Sequence, residues 1–172
     1  LHNQNAQTVA WCREALELLP EPWKFARGGF MLYLAVGMHA LGQGEEAERL
    51  LLAEYESCRD KTDPYALRLL QALSFSYLQE ARLEAVRQNA QELLYQAGRA
   101  GLPVVLGWAH YFLGRVAYQW NELDLALRHY AEVADKRYVI HAQAARNGMI
   151  GQTQTHAARG ELDLAWQSWR QL

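Results

Sequence analysis

Apolar residues recur at intervals of three and four along almost the whole chain. Phe30, Leu34, Met38 and Leu41 share one helical face, and Leu69, Leu73 and Tyr77 share another. A second kind of stripe follows each of these, as in Ala47, Leu50, Leu51 and Glu54, or Leu123, Ala126, Leu127, Tyr130 and Val133. Breakers separate the stripes: Gly42-Gln43-Gly44, Glu80-Ala81-Arg82, Asn121-Glu122 and Gly160-Glu161. No stretch alternates apolar and polar for long enough to make a strand. Asp63-Pro64 reads as an N-cap followed by proline at the first helical position, and Pro22 and Pro103 stand similarly before helical stretches. The pattern predicts helices over 5–19, 22–41, 44–59, 64–80, 82–98, 103–120, 122–136, 138–158 and 161–172.

The pattern repeats. Glu122-Leu123-Asp124-Leu125-Ala126 reappears as Glu161-Leu162-Asp163-Leu164-Ala165, a spacing of 39. The same phase upstream gives anchors at Thr8, Ala47, Val86, Ala126 and Ala165, with steps of 39, 39, 40 and 39. Each unit reads as two helices. Helix A carries the first stripe, and helix B opens with acidic residues, which suit the positive end of the helix dipole. Alanine at 47, 126 and 165 lets helix B approach helix A closely, where a large side chain would hold them apart. The expected architecture is an all-α, right-handed α-solenoid of antiparallel helix pairs with a period of 39–40. It occupies 1–172 as one domain, in units of about 1–20 (partial), 22–59, 64–98, 103–136 and 138–172.

Phe112-Leu113-Gly114, Ala117, Asn121, Ala126, Tyr130 and Val133 resemble the tetratricopeptide pattern. That pattern has a large apolar residue and glycine in helix A, a turn residue, then alanine and an aromatic in helix B. The usual period is 34, and the other units have Leu34-Ala35 and Leu73-Ser74 in place of the Leu-Gly pair. In its longer, degenerate form the chain resembles the helical-repeat region of LuxR-type, maltose-activator-like bacterial transcriptional regulators and of signal-transduction ATPases. Trp108-Ala109-His110-Tyr111-Phe112-Leu113-Gly114 and Ala142-Gln143-Ala144-Ala145-Arg146 carry that likeness. The resemblance implies a non-catalytic, cytoplasmic regulatory domain that binds a protein, peptide or small-molecule effector. A ligand preferring one packing of the repeats would then shift the parent between states. The alternative is a free-standing adaptor that docks peptide tails.

Composition narrows the choice further. The chain has 172 residues, 51% apolar and 21% charged, a globular balance. Its 17 basic and 19 acidic residues give a net charge of −2, without the clustered lysines and arginines that direct nucleic-acid contact requires. Apolar runs such as 30–36 are too short to cross a bilayer. Cys12 and Cys58 have no metal or disulfide spacing and read as reduced helix cysteines. A start at Leu1 and an end inside a helix lead us to expect a piece of a longer protein.

No catalytic motif is recognisable, and no cofactor or metal is expected. Gly42-Gln43-Gly44-Glu45-Glu46-Ala47 fits a dinucleotide-type G-x-G-x-x-A string, but a predicted helix precedes it where a strand is needed. The six histidines (His2, His39, His110, His129, His141, His156) form no ligand spacing. In tetratricopeptide proteins ligands lie against the A helices, on the concave side. Aligned on the anchors, the candidate face carries Arg68, Gln71 and Phe75, then Trp108, Tyr111, Arg115, Tyr118 and Gln119, flanked by Leu32, Val36, His39 and Gln79 and by Asn147, Ile150 and Gln154. Steps of three and four place Trp108, Tyr111, Arg115 and Tyr118 on one helical face, and aromatics with arginine are favoured in binding hot spots. Trp11, Trp166 and Trp169 at the two ends are expected to need a covering neighbour, and their exposure would favour a homodimer.

Overall fold

The structure, a computed structural model, describes residues 2–172, with side chains from residue 4 onward. Leu1 and the His2 side chain therefore lie outside the described residues. Among the described residues there are nine helices and no strand: α1 (His2–Leu18), α2 (Lys24–Ala40), α3 (Gly44–Ser57), α4 (Pro64–Gln79), α5 (Leu83–Ala100), α6 (Pro103–Gln119), α7 (Leu123–Asp135), α8 (Ala142–Ala158) and α9 (Leu162–Trp169). None of them is long and apolar enough to cross a membrane. Asp63 caps α4 by accepting from the Tyr65 N–H, and Pro64 and Pro103 open α4 and α6, where the missing N–H costs nothing.

The starts of α1, α2 and α8 differ from the predicted ones by two residues or more, α1 beginning at His2 rather than at residue 5. Residues 20–23 form a turn, so α2 begins at Lys24 and Pro22 stays outside it. Residues 136–140 also turn, because Ile140 is drawn inward against Gly107, whose absent Cβ would stand 2.8 Å from Ile140 Cδ1. His141 then caps α8, its Nδ1 accepting from the Gln143 N–H at 3.2 Å.

The chain divides into two compact units, Leu1–Ala85 and Val86–Leu172. In the first, α1 packs on α2, α2 packs on both α3 and α4, and α3 packs on α4. In the second, α6 packs on both α7 and α8, α7 on α8, and α8 on α9. The same order of contacts thus occurs in each unit: α2 and α6 each meet the helix that follows and the one after it.

The backbone carries the period more strictly than the side chains do. The residue five before each anchor from Ala47 on is left-handed: Gly42 (φ 79°), Ala81 (φ 56°), Asn121 (φ 61°) and Gly160 (φ 77°). At each, the following N–H reaches back over the turn, from Gln43 to Met38 O, Arg82 to Tyr77 O, Glu122 to Ala117 O and Glu161 to His156 O, at 2.8–2.9 Å. This is a Schellman closure, which satisfies carbonyls that the helix end would leave bare. Gly42 therefore closes a helix-to-helix turn and belongs to no dinucleotide loop. Ala81 holds a conformation that costs an L-residue about 1–2 kcal/mol. Ala81→Gly is accordingly expected to raise stability by about 0.5–1 kcal/mol, the remainder being lost to the freer unfolded chain. Thermal melting checks this, and a lowered melting temperature would contradict it.

The anchors from Ala47 on are closed off from solvent. Ala47, Val86 and Ala126 have no exposed surface, and Ala165 retains 7%. Thr8 is half-buried, with Val9 beside it buried against Gly37.

Candidate functional site

In the second unit, α6 carries four of the candidate residues on one face. Trp108, near its start, is buried and lies edge-on to Tyr111, with ring centroids 5.8 Å apart. It also stacks on Phe112 at 6.1 Å and meets the His141 ring at 5.5 Å. Trp108 thus serves as a wall, and the surface-accessible part of the face begins at Tyr111. Tyr111, Arg115 and Tyr118 are half-buried, and Gln119 is exposed.

Beneath these three residues lies one that the stripe did not single out. Tyr130 of α7 is fully buried, with Tyr111, Tyr118 and Leu125 packed around the Ala117–Ala126–Tyr130 core. Its hydroxyl is buried with no hydrogen-bond partner, and so is Arg115 Nε. Burial raises the Tyr130 pKa, with Arg115 opposing and Tyr111 and Tyr118 adding to the rise. Burial likewise raises that of Tyr111, against the pull of Arg115. Both phenols are therefore neutral near pH 7, and the face presents a guanidinium among neutral hydroxyls. An unsatisfied buried donor costs about 1–3 kcal/mol, so such atoms call for an explanation. Their chemistry suits a ligand with an acceptor oxygen.

In the first unit Arg68 and Gln71 of α4 are buried, with 8% and 0% exposure, while Phe75 is half-buried. Arg68 Nη1 donates to Gln71 Oε1 at 2.8 Å, and the Phe25 ring lies 4.6 Å from the guanidinium carbon. Of the flanking positions, Leu32 is buried, His39 half-buried, and Val36 and Gln79 exposed. His39 lies 3.7 Å from Glu80, tying the ends of α2 and α4 together. In the second unit Asn147 and Ile150 are half-buried and Gln154 is exposed.

Among the described residues, no group of three or more histidines, cysteines or acids is placed to hold a metal. Cys12 and Cys58 are free thiols, and burial raises the pKa of both.

One pair escaped the sequence pattern. His110 of α6 and His129 of α7 place their Nδ1 atoms 3.2 Å apart, with Arg128, Glu132 and Lys136 nearby. Burial depresses both, and His129 falls to about 4 through burial, then His110, then Arg128. The folded state thus binds fewer protons than the unfolded chain between about pH 6.5 and 4. Stability present above pH 6.5 is lost as pH falls through that window. His129→Gln is expected to remove about 1–2 kcal/mol of the stability difference between pH 7 and pH 5, a figure discounted for the half-open setting. Denaturant melts of both proteins at the two pH values measure it, and an unchanged difference would refute it.

Trp11, Trp166 and Trp169 are 63%, 64% and 53% exposed. Trp166 and Trp169 border an apolar groove with Thr153, Ala157, Leu162 and Ala165. Against known proteins, no family model matches the chain, no curated protein matches it, and no solved structure matches it.

Proposed function

We propose that the chain is a non-catalytic binding domain made of tetratricopeptide-type hairpins in a right-handed α-solenoid. We place it in the cytoplasm, in a bacterial multidomain transcriptional regulator or signalling ATPase. A protein, peptide or small-molecule effector is taken on the α6 face formed by Tyr111, Arg115 and Tyr118, and the segment itself contacts neither nucleic acid nor membrane. One observation carries the reading: Arg115 Nε and the Tyr130 hydroxyl stand buried and unpartnered under that face. Such donors are costly in the free protein, and a ligand oxygen reaching the half-buried Arg115 offsets part of that cost. The recurring left-handed turn and the recurring order of helix contacts support the hairpin repeat.

Selection of peptides from a random library on the folded chain tests the site. Wild type is expected to enrich sequences whose affinity falls at least about tenfold in Tyr111→Ala/Arg115→Ala, equivalent to about 1.4 kcal/mol, with helix content unchanged. Failure to enrich any sequence, or equal affinity for the variant, would refute the reading.

A further inference from the structure

Burial holds the Arg68 guanidinium below its ordinary pKa, and Tyr33 opposes that fall. Among the described residues no carboxylate forms an ion pair with it; its partners are the Gln71 amide oxygen and the Phe25 ring. Its Nε and the Gln71 Nε2 are buried with no hydrogen-bond partner. Taking a guanidinium out of water without a counter-charge is costly, and one amide oxygen and one ring offset only part of that cost.

The surroundings are shaped to admit this side chain. A Cβ on Gly28 would stand 2.3 Å from Arg68 Cβ, so only glycine lets Arg68 cross under α2. At the next residue a Cβ would stand 3.3 Å from Nη2, so Gly29, itself half-buried, sets no side chain against that nitrogen. Phe25 and Tyr33, at 43% and 57% exposure, flank the notch along α2. A donor-only cation beside exposed aromatic surface matches an anion whose remainder is apolar. The planar fork suits a carboxylate, which can accept from two guanidinium nitrogens at once.

We propose that Arg68, Gln71 and Phe25, reached over Gly29, form a subsite for a carboxylate borne on an apolar group. The carboxylate meets the Nη2 side of the guanidinium over Gly29, Gln71 holds the guanidinium from within, and the apolar group lies on Phe25 and Tyr33. The subsite deepens the binding-domain reading and rests on it. The two fail separately, because the library test reads α6 and the following one reads α4.

The probe is 3-phenylpropionate, titrated into nitrogen-15-labelled chain while the Arg68 Nε–H resonance is followed. 3-Phenylpropionamide and inorganic phosphate serve as comparisons. The resonance is expected to shift saturably at millimolar 3-phenylpropionate and to stay in place with the amide. Arg68→Met is expected to lose calorimetric binding of 3-phenylpropionate and to melt no lower than wild type, since it removes an uncompensated charge at similar volume. An unmoved resonance would overturn the proposal, and this reading needs no variant to fold. Equal response to the amide, equal or stronger response to phosphate, or undiminished binding by Arg68→Met would also overturn it. A lower melting temperature for Arg68→Met, with no response in wild type, would make Arg68 purely structural.

Discussion

Gly151→Leu is expected to destabilise the Val86–Leu172 unit by about 3 kcal/mol, a large share of what holds a small unit folded. The cause is the seat of Tyr130. A Cβ at Gly151 of α8 would stand 2.4 Å from Tyr130 Cζ, and a Cβ at Gly114 of α6 would stand 2.6 Å from Cε1. The ring is thus held between two bare helix backbones and cannot yield to one without striking the other. One turn away on the same helices, Gly148 meets Val133 Cγ1 with 2.4 Å to its missing Cβ. Two side chains of α7 therefore seat themselves in two glycine positions of α8, and this sets how closely those helices approach.

Alanine gives the finer test. Gly151→Ala gains about 1 kcal/mol in helix propensity, yet it is expected to lose about 1 kcal/mol net because the clash outweighs that gain. Combining it with Tyr130→Leu, which shortens the ring, should recover part of the loss. The two changes would then be strongly non-additive in a double-mutant cycle. Equilibrium denaturation of the four proteins measures this. Strict additivity would mean that Tyr130 does not lie against Gly151.

Much of the fold was legible because its cause is local. Spacings of three and four set the helices, and the anchor interval recurs in the left-handed turn residue that precedes each anchor from Ala47 on. The turn was legible in Gly42, Asn121 and Gly160, whose residue types favour positive φ, but not in Ala81. There the turn closed by the Arg82 N–H on Tyr77 O imposes a conformation that the side chain resists. The start of α8 was misplaced because Ile140 reads as one more apolar position of a helix. It turns inward only because Gly107, more than thirty residues earlier, leaves room for it.

The site was legible in part, and the reason is again distance along the chain. Tyr111, Arg115 and Tyr118 share a face by helical arithmetic alone, and α6 carries them together. Their burial depends on Tyr130 from another helix, which the apolar stripe presented only as a core residue. Arg68 was placed on the candidate concave face, yet it is buried, where Gly28 and Gly29 of α2 leave room for it. His110 and His129 meet across a hairpin, 19 residues apart, at a spacing that no ligand motif shares.

Leu51→Ala and Trp169→Ala form the second large contrast, because both residues lie four places after an anchor, as do Ala90 and Tyr130. Leu51, Ala90 and Tyr130 have no exposed surface, whereas Trp169 is 53% exposed. Leu51 belongs to α3, which packs on both α2 and α4, so truncation leaves a void enclosed by three helices. A loss of about 2–5 kcal/mol is expected. Trp169 belongs to α9, which packs on α8, and its ring lines the open groove. Its truncation is expected to change stability by less than about 0.5 kcal/mol despite the larger side chain removed. Denaturant melts at two protein concentrations, with sedimentation equilibrium, measure both. A small effect at Leu51 would remove the hairpin repeat as the source of stability. A large, concentration-dependent effect at Trp169 would show that a second copy of the chain covers the groove in solution.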